Sequence, residues 1–124
     1  MTMVLLMDDD PGMRATLRMM LQPLKYLVIE AADGEAGVSL FRSHKPDLVI
    51  TDILMPKKDG IEAICEMRKL DPEARIIAMS GGGAGKYPDP LSIARDSGAK
   101  DVIKKPFRRE LLVETISRVL GNFS

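Results

Sequence analysis

Five short apolar runs, at residues 3–7, 26–31, 47–51, 75–79 and 101–103, alternate along this chain with longer amphipathic stretches. No other feature constrains the fold as tightly. Each run is bounded by acids, Gly or Pro, and several are rich in Val and Ile, as strands buried on both faces are. Between the runs the periodicity changes to that of helices. Met13, Leu17, Met20 and Leu21 recur at i, i+4, i+7 and i+8, and Leu112, Ile116, Val119 and Leu120 repeat the spacing. Four aspartates mark helix starts, in the pairs Asp10-Pro11, Asp33-Gly34, Asp59-Gly60 and Asp89-Pro90, and Gly98 marks the end of the fourth helix. The order is βα, five times over. Strands joined through helices run parallel, so the expected fold is α/β: a doubly wound, five-stranded parallel sheet with helices on both faces.

Composition narrows the class. A chain of 124 residues suits one domain with a single sheet, and 45% hydrophobic with 29% charged residues is ordinary for a globular protein. Lys+Arg and Asp+Glu balance at 18 each, so no global field favours nucleic acid or an anionic membrane. One cysteine excludes an internal disulfide framework and suits a reducing compartment. The apolar run before Asp8 is too short for a signal peptide or a membrane span, which makes the cytoplasm the expected location.

The stretch "SGGGAGKYPD", residues 80–89, suggests a phosphate-binding loop and fails the test. Such a loop needs Gly five residues before its Gly-Lys and Ser or Thr directly after the lysine. Ser80 and Tyr87 stand there instead.

The ends of the strands are more informative. In a doubly wound sheet, ligands bind beyond the carboxyl ends of the strands, near the point where the strand order reverses. Asp8, Asp9 and Asp10 follow the first run, Asp52 the third, Ser80 the fourth, and Lys104 and Lys105 the fifth. Crowded carboxylates call for a cation, and oxygen donors without His or Cys suit a hard ion, Mg²⁺ first, with Mn²⁺ as the alternative. A carboxylate can also attack phosphorus to give an aspartyl phosphate, for which Lys105 and Ser80 supply a charge and a hydroxyl. Asp10 is read as a helix cap only.

The segments "VLLMDDDPGMR", "PDLVITDILMPKKDG", "IIAMSG" and "GAKDVIKKPF" together resemble the response-regulator receiver domains of two-component signalling, the CheY-like fold. The likeness runs through the chain in order. It implies that residues 1–124 are one receiver domain with no output domain. Asp52 would be the phosphoacceptor, Asp9 a direct Mg²⁺ ligand and Asp8 a ligand acting mainly through water. Leu54 would offer its backbone carbonyl to the ion. Ser80 and Lys105 would contact the phosphoryl group, while Lys104 matches no site position. The implied partners are a histidine kinase or histidine-phosphotransfer protein and an unidentified downstream protein, with the chain a monomer or weak dimer that binds neither nucleic acid nor membrane. Two departures bear on the switch. Val102 stands where the family usually has Tyr or Phe, and the glycine-rich segment lengthens the loop after Ser80. The expected switch elements are therefore Ser80, Val102, the loop and Tyr87.

Two other functions stay open at this point. A haloacid-dehalogenase-type phosphohydrolase also uses an aspartate nucleophile, but Asp8, Asp10 and Gly12 fit its Asp-x-Asp-x-Thr/Val pattern poorly. A receiver-fold module that is never phosphorylated would not need Asp8, Asp9, Asp52, Ser80 and Lys105 together. His44 is read as a helix-end cation, Cys65 as a small buried hydrophobe, and most of the nine methionines as core residues. "KKPFRRE" is read as a solvated helix start.

Overall fold

Aspartate side chains set where the helices begin. Asp10, Asp33, Asp59 and Asp89 each accept a hydrogen bond from a backbone N–H in the first turn, and Asp59 completes a reciprocal capping box with Glu62. A computed structural model describes residues 1–81 and 87–121. Its strands are β1 (Met3–Met7), β2 (Leu27–Ala31), β3 (Leu48–Asp52), β4 (Ile76–Ser80) and β5 (Asp101–Lys104). The helices are α1 (Pro11–Leu21), α2 (Gly34–His44), α3 (Gly60–Leu70), α4 (Pro90–Ser97) and α5 (Arg109–Leu120). The pairings are all parallel, in the order β2-β1-β3-β4-β5.

The period of two along each strand divides the core. Val4, Leu6, Leu48, Ile50, Ile77 and Met79 pack on one side against Leu17 and Leu21 of α1 and Leu112 and Ile116 of α5. Leu5, Met7, Val49, Ile76 and Ala78 pack on the other against α2, α3 and α4. Both faces are covered, so the inner strands read as unbroken apolar runs. The edge strand β2 differs: only Ala31 of its five residues is buried. The anticipated helix stripes hold, with Met13, Met20, Val119 and Leu120 partly buried against the α1–α5 core.

Three details differ from the sequence reading. β3, β4 and β5 each run one residue further than the apolar pattern, because Asp52 pairs with Met79 and Ser80 with Lys104. The backbones of these polar residues at the strand ends are thus part of the ladder. Cys65 is exposed, since Ile61, Ala63, Ile64 and Met67 take the inward stripe of α3 and Cys65, one turn beyond Ile61, falls at its solvent edge. Met7, Met67 and Met79 are fully buried, but Met1 and Met19 face solvent and the other four lie between.

β1 lies between β2 and β3, so the chain leaves it in both directions and opens a crevice at the carboxyl ends of β1 and β3. Gly60 lets α3 close on that crevice. Its N–H donates to the Ile53 carbonyl at 2.7 Å, and a Cβ there would lie 2.2 Å from the Asp52 carbonyl oxygen. Among the described residues, no helix is long and apolar enough to cross a membrane.

Candidate functional site

The side chains of Asp8, Asp9, Asp52 and Lys105 meet at the crevice. Asp8 continues the β1 ladder, its N–H donating to the Ala31 carbonyl at 3.1 Å, and its side chain is fully buried. One carboxylate oxygen accepts from the Asp10 N–H at 3.0 Å, and the other lies 3.3 Å from Lys105 Nζ. Asp52 Oδ1 accepts from the Ile53 N–H at 2.9 Å and stands 3.4 Å from the same ammonium. Asp9 is exposed, and its carboxylate has no hydrogen bond or ion pair with a described residue. Asp8, Asp9 and Asp52 each bring a carboxylate oxygen within 4.8 Å of the others.

Ser80 ends β4 and is buried. Its carbonyl accepts the Lys105 N–H at 2.8 Å, which ties the lysine's backbone to the neighbouring strand. Leu54, two residues beyond Asp52, borders an open cleft of about 650 Å³ together with Asp9, Pro56, Glu62 and Tyr87. Val102 pairs with Ala78 and is half-buried against the α2–α4 side of the core. Residues 82–86, which hold most of the glycine-rich stretch, lie outside the described residues. Arg109 of "KKPFRRE" is not merely solvated: its Nε donates to the Met20 carbonyl at 2.9 Å and joins α5 to α1.

The donor set suits a small hard cation. Oxygens bound to one Mg²⁺ lie at most ~4.2 Å apart, twice the ~2.1 Å bond. The three carboxylates are close enough to share an ion after a small adjustment or through one water. Asp8 is already bonded at both oxygens, which leaves Asp9 and Asp52 as the freer donors. Three carboxylates and one ammonium leave a net charge of −2, which a divalent ion balances.

The electrostatics of Asp52 give a stability prediction. Burial pushes its carboxyl pKa up; the Lys105 ammonium pulls it back, the Asp8 charge adds to the rise, and the Ile53 N–H opposes it. The net shift is upward from 3.8. A carboxyl whose folded pKa is raised favours the fold most below its unfolded pKa, and that contribution is lost as pH climbs through the raised folded value. At neutral pH the ionised group therefore weighs against the metal-free fold. Asp52→Asn should raise the metal-free Tm at pH 7, by roughly 3–5 °C for each kcal/mol recovered in a domain of this size. The gain should fade as pH falls toward 3.8. Melting curves across this range check it, and a gain independent of pH would rule out the titration of Asp52 as its source.

One contact was not legible in the sequence. The Tyr87 hydroxyl donates to Asp59 Oδ2 at 2.7 Å, joining the segment before α4 to the cap of α3. Asp59 reads as a cap from its Asp-Gly pair, and nothing in the local pattern shows that its second oxygen faces a residue 28 positions away.

A rim of acids, a buried hydroxyl-bearing residue and a lysine on a 2-1-3-4-5 sheet marks a class of α/β domains built to handle a phosphoryl group beside a metal. The family model described as the response regulator receiver domain matches residues 4–117. Protein CcdB of Bacillus subtilis is 40% identical over 98% of this chain and 100% of its own length. The chemotaxis protein CheY of the same organism is 37% identical over 95% of this chain and 97% of its own. The CheX–CheY–BeF₃–Mg²⁺ complex from Borrelia burgdorferi superposes with a TM-score of 0.86 at 30% identity, covering 95% of this chain and 88% of that one. The chain belongs to the response regulator receiver domain family, the phosphoacceptor modules of two-component signalling.

Proposed function

We propose that this receiver takes a phosphoryl group from the phosphohistidine of a histidine kinase or histidine-phosphotransfer protein onto Asp52, with Mg²⁺, and signals through changed protein binding. The carrying observation is that a buried carboxylate at a strand end has an ammonium 3.4 Å away and two further acids beside it. Asp52 supplies the nucleophile: a carboxylate oxygen bonds to phosphorus as the phosphorus–nitrogen bond breaks, and the electron pair leaves on the imidazole. Lys105 would move from its two carboxylates to the arriving phosphoryl oxygens, and the Ser80 hydroxyl would donate to one of them. Asp9 and Asp52 would hold Mg²⁺ directly, helped by the Leu54 carbonyl and by Asp8 through water. When bound, the ion offsets carboxylate charge and draws phosphoryl oxygens into line. Incubation with acetyl phosphate tests the reading. One phosphoryl group should be gained with Mg²⁺ and none with a chelator, and a protein that stays unlabelled under both conditions would sink the proposal.

Ser80 should separate chemistry from signalling. Ser80→Ala removes a donor to a charged acceptor, a loss of ~1.5–3 kcal/mol. Labelling should survive while the shift toward the signalling conformation shrinks; abolished labelling would place the hydroxyl in the chemical step.

Tyr87 is the proposed reporter in place of the missing ring at Val102. Phosphorylation adds ~−1.5 to −2 charges at Asp52. As Ser80 is drawn toward them, the chain beyond it shifts and the Tyr87–Asp59 hydrogen bond gives way. The protein has two tyrosines and no tryptophan, so its intrinsic emission reads tyrosine alone. Beryllofluoride with Mg²⁺ should change that emission in the wild type and in Tyr26→Phe, and leave Tyr87→Phe unchanged. A response that persists in Tyr87→Phe would assign the switch elsewhere.

A further inference from the structure

Asp9 poses a question of aim. Its carboxylate has no protein partner among the described residues, so its direction depends on the backbone that carries it. That backbone is held from one side by α1. Arg14 Nη1 donates to the Asp8 carbonyl at 2.7 Å, and this carbonyl belongs to the peptide unit that leads into Asp9. The guanidinium is itself held, because Arg14 Nε donates to Glu30 Oε1 at 2.9 Å. Glu30 is the one charged residue of β2, and its other oxygen is taken by Arg18. Its neighbour Ala31 accepts the Asp8 N–H. The edge strand thus holds Asp8 at both backbone groups, directly at the N–H and through Arg14 at the carbonyl.

We infer that Arg14 is a positioning residue for the acidic site: by fixing the Asp8–Asp9 peptide against Glu30 it aims the Asp9 carboxylate, and so sets affinity for the divalent cation. The inference rests on the functional reading above. The fork shape of the guanidinium is essential, since one nitrogen serves the carbonyl and another the carboxylate. Arg14 and Arg18 share the single Glu30 charge, and loss of a cation near the acids would by itself favour Mg²⁺, so a loss of affinity in Arg14→Met reports geometry. A lysine at position 14 would offer one nitrogen in place of two and lack the rigid spacing that fits both acceptors. An outer partner of this kind changes metal affinity by ~10–100-fold when removed.

The test uses Mg²⁺ titration and hydrogen exchange on Arg14→Met, Arg14→Lys, Glu30→Gln and Arg18→Met, all well below their melting temperatures. Arg14→Met should bind Mg²⁺ ~10-fold more weakly. In metal-free protein its Asp10 amide, which bonds Asp8 Oδ1, should exchange faster. Arg14→Lys should resemble it, and Glu30→Gln should fall between it and the wild type. Arg18→Met touches Glu30 and not Asp8, so it should keep wild-type affinity. Unchanged affinity and unchanged Asp10 exchange in Arg14→Met would overturn the inference, as would an equal loss in Arg18→Met. Should Arg14→Met not fold, Arg14→Lys and Glu30→Gln decide by the same readouts. A wild type that binds no Mg²⁺ overturns the functional reading instead, and the metal-free exchange of Asp10 still decides whether Arg14 holds the peptide.

Discussion

Asp52→Ala should gain no phosphoryl group under conditions where the wild type gains one. With Mg²⁺ and acetyl phosphate the wild-type adduct should be acid-stable and cleaved by hydroxylamine, as an acyl phosphate is. The loss in the variant should be complete, because no described neighbour can replace the nucleophile. Asp8 is bonded at both of its oxygens, to the Asp10 N–H and to Lys105. Asp9 is exposed and lacks the ammonium that stands beside Asp52. Mass spectrometry of the intact protein with peptide mapping checks the outcome. Undiminished labelling of Asp52→Ala would remove that residue from its role and direct the search to another carboxylate of the rim.

The second large effect is expected at the metal. Asp9→Ala removes a proposed direct ligand, so Mg²⁺ affinity should fall by more than the ~10–100-fold that loss of an outer partner costs. Phosphorylation should nearly vanish with it. The fold should not suffer, since Asp9 is exposed and makes no bond to the described protein. Removing one of three crowded carboxylates relieves repulsion, so the metal-free Tm should hold or rise. Titration calorimetry and metal-free melting measure the two halves separately. Wild-type affinity in this variant would exclude Asp9 as a ligand, and a lower metal-free Tm would mean that its charge supports the fold.

Other residues show where local pattern stops being informative. The caps at Asp10, Asp33, Asp59 and Asp89 were legible because a cap needs only its own backbone and the next turn. The stripe of α1 was legible because 3.6 residues per turn place Leu17 and Leu21 on one face whatever lies opposite. Cys65 escapes the local pattern because it lies one turn beyond the buried Ile61, yet the inward arc of α3 runs through Ile61, Ile64 and Met67 and ends short of it. The link between Arg14 and Glu30 leaves only one local trace, the lone charge within the apolar run "LVIEA".

The βα alternation, the helix starts and the residue types at each strand end can all be read along the chain. These follow from periodicity and from short-range hydrogen bonding, both encoded within a few positions. The distances that make a site arise only once the sheet and helices are assembled. Lys105 reaches Asp8 across 97 positions, Tyr87 reaches Asp59 across 28, and Arg14 joins Asp8 to Glu30. The upward shift at Asp52 likewise depends on how completely the assembled sheet and helices exclude water around it. The physical reason is common to all of these. Burial and Coulomb interaction depend on separation in space, and separation in space is set by the 2-1-3-4-5 strand order, which local pattern does not encode.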